Sequence, residues 1–308
     1  MVPGLSRYPA KTLRSDRPAA QERWSVVIDD AVAFARDRVV VMAGPCAVEN
    51  RDQLLTTARA VRAAGAHMLR GGAFKPRTSP HSFQGLGRAG LELLVEASRE
   101  VGLPVVTEVL DPRDVDLVAS HAAMLQVGSR NMQNFPLLRE VGRAGKPVLL
   151  KRGASATLEE LLAAAEYVLG EGNRRVVLCE RGVRGFDPSV RYVLDLSAVP
   201  LLQQRSPLPV VVDPSHGTGR ASLVGRMAVA AVAAGADGLL IEVHPRPEEA
   251  LCDGQQALLP EEFTHLVTEV QRVAQVVGRD AAAGAHRPAT LGTTEIPQCN
   301  RAAPLGRR

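Results

Sequence analysis

The chain has 308 residues, 45% apolar and 23% charged, with a formal net charge of +4. That is ordinary globular composition, and the charge is too small and too evenly spread to argue for nucleic acid. No apolar run approaches the ~18 residues of a membrane span, and Met1–Arg23 lacks the hydrophobic stretch of a secretory signal.

A cytoplasmic protein is therefore expected, although the Arg-rich, acid-poor N-terminus also allows a transit segment. The four cysteines, Cys46, Cys179, Cys252 and Cys299, form no Cys-x-x-Cys pair and read as thiols.

Residues 1–38 read as a short extension, of which Trp24–Arg38 is expected to form a strand-containing plug under a barrel floor. From Val39 onward, short apolar runs alternate with longer helical patterns. The runs are Val39–Ala43, His67–Arg70, Pro104–Glu108, Met124–Val127, Pro147–Lys151, Val176–Glu180, Pro209–Asp213 and Gly238–Glu242. Continuous apolar stretches of this kind suit parallel strands buried on both faces. Between them the spacing predicts helices over Arg51–Ala64, Leu86–Val101, Pro112–Ser120, Asn134–Ala144, Thr157–Leu169, Val190–Gln204 and Ser222–Ala234, with Pro260–Val277 last. Gly65, Gly102, Gly145 and Gly235 fall where left-handed helix caps are needed. The pattern is that of an α/β protein, a (β/α)8 TIM barrel over residues 39–277. Residues 278–308 are Ala-, Gly-, Pro- and Arg-rich without periodicity and read as a disordered tail.

In such barrels chemistry sits where the strands end. Those ends carry Cys46, Arg70 with Lys75 and Arg77, Glu108, Ser129-Arg130, Lys151-Arg152, Glu180-Arg181, Asp213 with His216, and Glu242 with His244. Asp253 follows in the last loop. Singly, each has a structural explanation: a buried thiol, a capping histidine, a salt-bridge carboxylate, a turn former. Together they form two chemical subsets. Arg70, Lys75, Arg77, Arg130, Lys151 and Arg181 suit phosphate and carboxylate. Cys46, His216, Glu242 and Asp253 suit a divalent transition metal. Glu108 can orient a lysine or a water, or only offset positive charge. Cys252 and Cys179 read as packing residues.

These motifs resemble the 3-deoxy-D-arabino-heptulosonate 7-phosphate (DAHP) synthases, closest to the type I-beta class. The resemblance rests on Ala-Gly-Pro-Cys46, Arg70-Gly-Gly-Ala-Phe-Lys75-Pro-Arg77-Thr78-Ser79, Gln126-Val-Gly-Ser129-Arg130, Leu150-Lys151-Arg-Gly, Cys179-Glu-Arg181-Gly, Val212-Asp213-Pro-Ser-His216 and Glu242-Val-His-Pro with Cys252-Asp253-Gly. It spans all eight strand ends in order. It implies a transferase that condenses phosphoenolpyruvate, erythrose 4-phosphate and water, at the entry of the shikimate pathway to aromatic amino acids. It implies metal ligation by Cys46, His216, Glu242 and Asp253, with manganese, iron, cobalt or zinc left open. Arg130, Lys151, Arg181 and Lys75 would hold phosphoenolpyruvate, and Arg77, Thr78 and Ser79 would face erythrose 4-phosphate. Lys75 is the candidate proton donor. Ala47, Asn50, Ser129 and Gly185 depart from common family wording, but none is a ligand or a named cation. A homo-oligomer, dimer or tetramer, is expected.

The rival within the resemblance is the octulosonate-forming sister enzyme that uses arabinose 5-phosphate. It typically carries Asn-Arg-Ser where Lys75-Pro-Arg77-Thr78-Ser79 stands here. A non-enzymatic binding barrel is the alternative from another class. The short segment ahead of Val39 leads us to expect insensitivity to aromatic amino acids and chorismate.

Overall fold

The computed structural model describes residues 23–282 apart from Thr78. The readings for Thr78, for residues 1–22 and for residues 283–308 lie outside them. A hairpin comes first, with β1 (Val26–Val27) antiparallel to β2 (Ala33–Phe34). Eight parallel strands follow: β3 (Val40–Gly44), β4 (Met68–Arg70), β5 (Val105–Glu108), β6 (Met124–Val127), β7 (Val148–Lys151), β8 (Val176–Glu180), β9 (Val210–Val212) and β10 (Gly238–Glu242). They close in chain order, with β10 paired to both β9 and β3. The expected (β/α)8 barrel is present.

The helices are α1 (Arg51–Ala64), α2 (Arg88–Val101), α3 (Val115–His121), α4 (Phe135–Arg143), α5 (Leu158–Gly170), α6 (Ala198–Arg205), α7 (Pro214–Thr218), α8 (Ala221–Ala233) and α9 (Pro260–Val276). Their starts are chemically marked. Asn50 caps α1 by accepting from the Gln53 amide at 2.8 Å, and Thr157 with Glu160 forms a capping box on α5. The four glycines expected at helix ends all have positive φ.

Side-chain alternation along the strands sorts the core into two layers. Val41, Ala43, Leu69, Val105 and Leu125 point outward to the helices. Val40, Met42, Met68, Val106, Met124, Leu149, Val177, Val211 and Leu240 fill the barrel, and Val26, Val32 and Phe34 of the hairpin join that inner cluster. The hairpin meets the strands at their N-terminal end, where Phe34 lies against Gly238.

Two expectations need correction. The helix over Val190–Gln204 begins only at Ala198. A start at Val190 would put Pro200 inside the helix, where its ring clashes with the preceding turn; from Ala198 it falls in the tolerated first turn. Residues 190–197 instead run over the mouth, with Val193 bridged to Val183. The described residues after Val277, expected within a disordered tail, are also placed in the fold. Residues 278–282 return along the floor, where Arg279 reaches Asp237 at 2.6 Å and Asp280 bridges to Arg38.

His67 pins this return. Its Nδ1 accepts from the Val41 amide at 3.0 Å and its Nε2 faces the Ala282 carbonyl at 3.2 Å. Burial lowers its pKa from the ordinary 6.5. The folded state therefore binds this proton less readily than the unfolded chain. Its contribution is complete above about pH 6.5 and is lost as pH falls through the lowered value. Urea midpoints are expected to drop over that window. His67→Gln should flatten the slope, and an unchanged slope would remove His67 as its origin.

Candidate metal and anion site

The same alternation that fills the barrel builds the site. On six of the eight strands the inward position two residues past an apolar side chain is polar. Met68 leads to Arg70, Val106 to Glu108, Met124 to Gln126, Leu149 to Lys151, Val211 to Asp213 and Leu240 to Glu242. All six polar residues are buried. Arg70, Glu108, Gln126 and Lys151 line a cavity of about 750 Å³ at the C-terminal end of the barrel, with Asp213 and Glu242 directly behind the cavity-lining His216.

Cys46, His216, Glu242 and Asp253 come together there, with one donor atom from each within 4.8 Å of the others. Cys46 Sγ lies 3.4 Å from Asp253 Oδ2, and His216 Nε2 lies 3.3 Å from Glu242 Oε1. Asp213 prepares the imidazole. Its Oδ1 accepts the His216 amide at 2.9 Å, and its Oδ2 receives His216 Nδ1 at 2.8 Å and Lys151 Nζ at 2.6 Å. With Nδ1 engaged, Nε2 faces the other three donors. Gln256 donates to Glu242 Oε2 at 2.7 Å, and Arg70 donates to its Oε1 at 2.9 Å.

The protonation states suit a cation. Burial lowers the pKa of His216 from the ordinary 6.5 against the opposing pull of Asp213 and Glu242, which favours the neutral, ligating imidazole at neutral pH and leaves the charged form for acid pH. Burial would raise Glu242 and Asp253, but His216 with Arg70 lowers the first, and His216 with Arg191 lowers the second to about 2. A hydrogen bond to Cys252, then burial and Glu242, raises Cys46 well above an ordinary thiol. The same bond lowers Cys252 against its burial. The two sulfurs stand 3.4 Å apart. One thiol, one imidazole and two carboxylates whose donor atoms lie within 4.8 Å of one another fit a divalent transition metal, whose binding would release the Cys46 proton.

Asp253 is held in the left-handed region at φ 54°, the sole non-glycine residue there among those described. Asp253→Gly and Asp253→Ala both delete the carboxylate, but alanine adds backbone strain of about 1 kcal/mol. The glycine variant is expected to be the more stable by that margin in metal-free denaturation. Equal midpoints would mean that the φ is not retained.

The expected cations line the same cavity. Lys75 is buried, with Nζ 3.1 Å from Cys46 Sγ and 3.0 Å from the Cys46 carbonyl. Burial would lower its pKa, but Cys46 and Cys252 outweigh that and raise it. Lys75 is therefore charged at neutral pH. Arg77 donates to Cys252 Sγ, and Arg130 to the Pro76 carbonyl at 3.2 Å. Ser79 lies at the rim. Three atoms of the lining residues are buried without a hydrogen-bond partner: Arg70 Nε, Ser129 Oγ and Arg181 Nη1. Glu108 receives Gln126 Nε2 at 3.3 Å and approaches Gly128 so closely that a Cβ there would sit 2.0 Å from its Oε1. Arg152, by contrast, is a structural cation paired to Glu180 and Asp195. His244 turns away from the cavity, with Nε2 3.5 Å from Glu49.

Residues 24–277 match the model of the DAHP synthetase I family. The chain belongs to that family. It is 51% identical to phospho-2-dehydro-3-deoxyheptonate aldolase of Thermotoga maritima over 238 residues, 77% of this chain and 70% of that one. A 2-dehydro-3-deoxyphosphooctonate aldolase of Syntrophobacter fumaroxidans is 35% identical over 260 residues, covering 78% and 89%. The crystal structure of the Thermotoga maritima DAHP synthase superposes with a TM-score of 0.84 at 47% identity, covering 87% of this chain and 78% of that one. A truncated form of that synthase gives 0.81 at 44%, covering 86% and 97%. The family expected from the motifs is borne out, and the octulosonate branch is the more distant relation. Among the described residues, no helix is long and apolar enough to cross a membrane.

Sequence reasoning left several DAHP synthetase site residues unassigned. Asp213 and Gln256 hold ligands, while Arg191 and Tyr192 face the cavity from the misread helix. The signal for Asp213 was present, because an Asp three residues before His216 is a helix-cap spacing.

Proposed function

We propose that this chain condenses phosphoenolpyruvate with erythrose 4-phosphate and water, giving DAHP and inorganic phosphate. The observation that carries the reading is one cavity where a four-donor cluster meets buried cations. Arg181, Lys151, Arg130 and Lys75 hold phosphoenolpyruvate. Arg77, Thr78 and Ser79 face the aldose phosphate. Two anions held side by side repel, and these cations offset that repulsion. Arg181 Nη1 and Ser129 Oγ, partnerless atoms of two cavity-lining residues, are donors that such a ligand would satisfy.

A divalent metal held by Cys46, His216, Glu242 and Asp253 would supply a Lewis acid for the aldehyde carbonyl or the attacking water. Manganese, iron, cobalt and zinc all suit mixed sulfur, nitrogen and oxygen donors. Lys75, charged and buried beside Cys46, donates the proton that the aldehyde oxygen takes up as the carbon–carbon bond forms. Arg70 keeps Glu242 ionised and aimed at the cluster. Lys151 shares Asp213 with His216, so it links the anion site to the imidazole. Assembly as a cytoplasmic dimer or tetramer completes the reading.

Purified protein should be assayed with phosphoenolpyruvate and each of the two aldose phosphates, before and after chelation. Faster turnover with erythrose 4-phosphate, lost on chelation, is expected. A comparable or higher rate with arabinose 5-phosphate would move the chain to the sister branch.

A further inference from the structure

We propose that Tyr192 is a substrate-positioning residue that holds Arg181 in the orientation that receives phosphoenolpyruvate; this rests on the reading of Arg181 above. Tyr192 belongs to residues 191–194, a strap laid over the mouth between β8 and α6. The strap is hydrogen-bonded along its length. Arg191 N donates to the Thr218 carbonyl at 3.0 Å, Tyr192 N to Gly217 at 3.1 Å, and Val193 N to Val183 at 2.9 Å. It is seated on glycines. A Cβ at Gly182 would lie 2.7 Å from the Tyr192 Cβ, and one at Gly219 would lie 2.5 Å from the Arg191 Cβ. The ring is therefore fixed by its backbone and by what lies beneath it.

That ring lies against Arg181, whose guanidinium carbon is 4.1 Å from the ring centroid. The contact differs from how its neighbours are held. Arg70 pairs with Glu242, Lys151 with Asp213 and Arg152 with Glu180. Among the described residues Arg181 has no carboxylate partner, and its Nη1 has no hydrogen-bond partner at all. A carboxylate would orient a guanidinium but also neutralise it, and would compete with an anionic substrate. An aromatic face orients it by stacking and leaves its edge and its charge available. Arg191 anchors the other side of the strap. It stands 5.8 Å from the Tyr192 centroid and donates to Gln256 Oε1 at 3.0 Å, with Asp253 Oδ1 at 3.3 Å.

The test is steady-state kinetics with each substrate varied in turn, on Tyr192→Phe, Tyr192→Leu, Arg181→Gln and the Arg181→Gln/Tyr192→Leu double variant. Tyr192→Phe keeps the face and loses only the hydroxyl beside Arg181, so it should raise KM for phosphoenolpyruvate far less than Tyr192→Leu does. Tyr192→Leu should raise KM for phosphoenolpyruvate about five- to tenfold, within the range of one partly desolvated cation–π contact, and leave KM for erythrose 4-phosphate unchanged. The double variant should be no worse than Arg181→Gln alone, because the tyrosine acts through the arginine. If Tyr192→Leu raises both KM values together, or adds fully to Arg181→Gln, its role is structural and the proposal fails. If Arg181→Gln raises KM for phosphoenolpyruvate while Tyr192→Leu leaves it unchanged, Tyr192 has no such role. If Arg181→Gln itself leaves that KM unchanged, the reading of Arg181 falls and the proposal with it. Should Tyr192→Leu not fold, Tyr192→Met enters the same comparison.

Discussion

Cys46→Ala is expected to leave a folded barrel that binds its metal more than about a hundredfold more weakly, since losing even an outer-shell partner costs 10–100-fold. Turnover at ordinary metal concentrations should fall with it. The reason is geometric as well as chemical. Cys46 is the only sulfur in the four-donor cluster, and its side chain is buried between Lys75 and Asp253. Cys252 lies 3.4 Å away but outside that cluster, so it cannot substitute without moving the loop. Cobalt(II) titration separates the two thiols. Thiolate-to-cobalt absorption should vanish in Cys46→Ala and persist in Cys252→Ser. The opposite pattern would exchange the roles of the two sulfurs.

Lys75→Met is expected to lower kcat by about a thousandfold, the upper part of what one proton donor or charge-stabilising group supplies. Methionine keeps the length and apolar body of lysine and removes the charge. Lys75 sits among three anionic or potentially anionic groups, Cys46, Cys252 and Glu108, which raise its pKa against burial. Two roles are possible for such a cation. If it only balances those groups, its removal should tighten metal binding and spare kcat. If it donates the proton, metal binding should hold or tighten while turnover collapses. Measuring metal affinity and kcat on the same variant decides the matter, and a retained kcat would end the proton-donor assignment.

Much of this site was legible because it hangs on strand ends, and strand ends are readable. A continuous apolar run followed by Arg70, Lys151 or Glu242 announces both a buried strand and a charged group at its mouth. The inward or outward sense of each residue was not legible, because strands covered on both faces show no apolar–polar alternation. The two-residue period puts Met68 and Arg70 on one face, but only the structure shows that this face is the barrel interior. The strap was misread for a related reason. Leu194, Leu196 and Val199 have spacing that a helix could use, but Tyr192 and Val193 place their amides on Gly217 and Val183 instead. Long-range seating on glycines overrode local periodicity. The approach of Cys252 to Cys46 spans 206 residues and depends on how the last loop folds back, which no local pattern encodes.

Asp237 carries a consequence for how the molecule can be handled. This one buried carboxylate takes both Arg23 and Arg279, near the two ends of the described chain. Both ends are thereby tied at the floor, across the whole thickness of the barrel from the cavity. A label or tether attached at Arg23 or Ala282 would therefore start from the far side. Protein held at those two positions would present its open mouth to the solution.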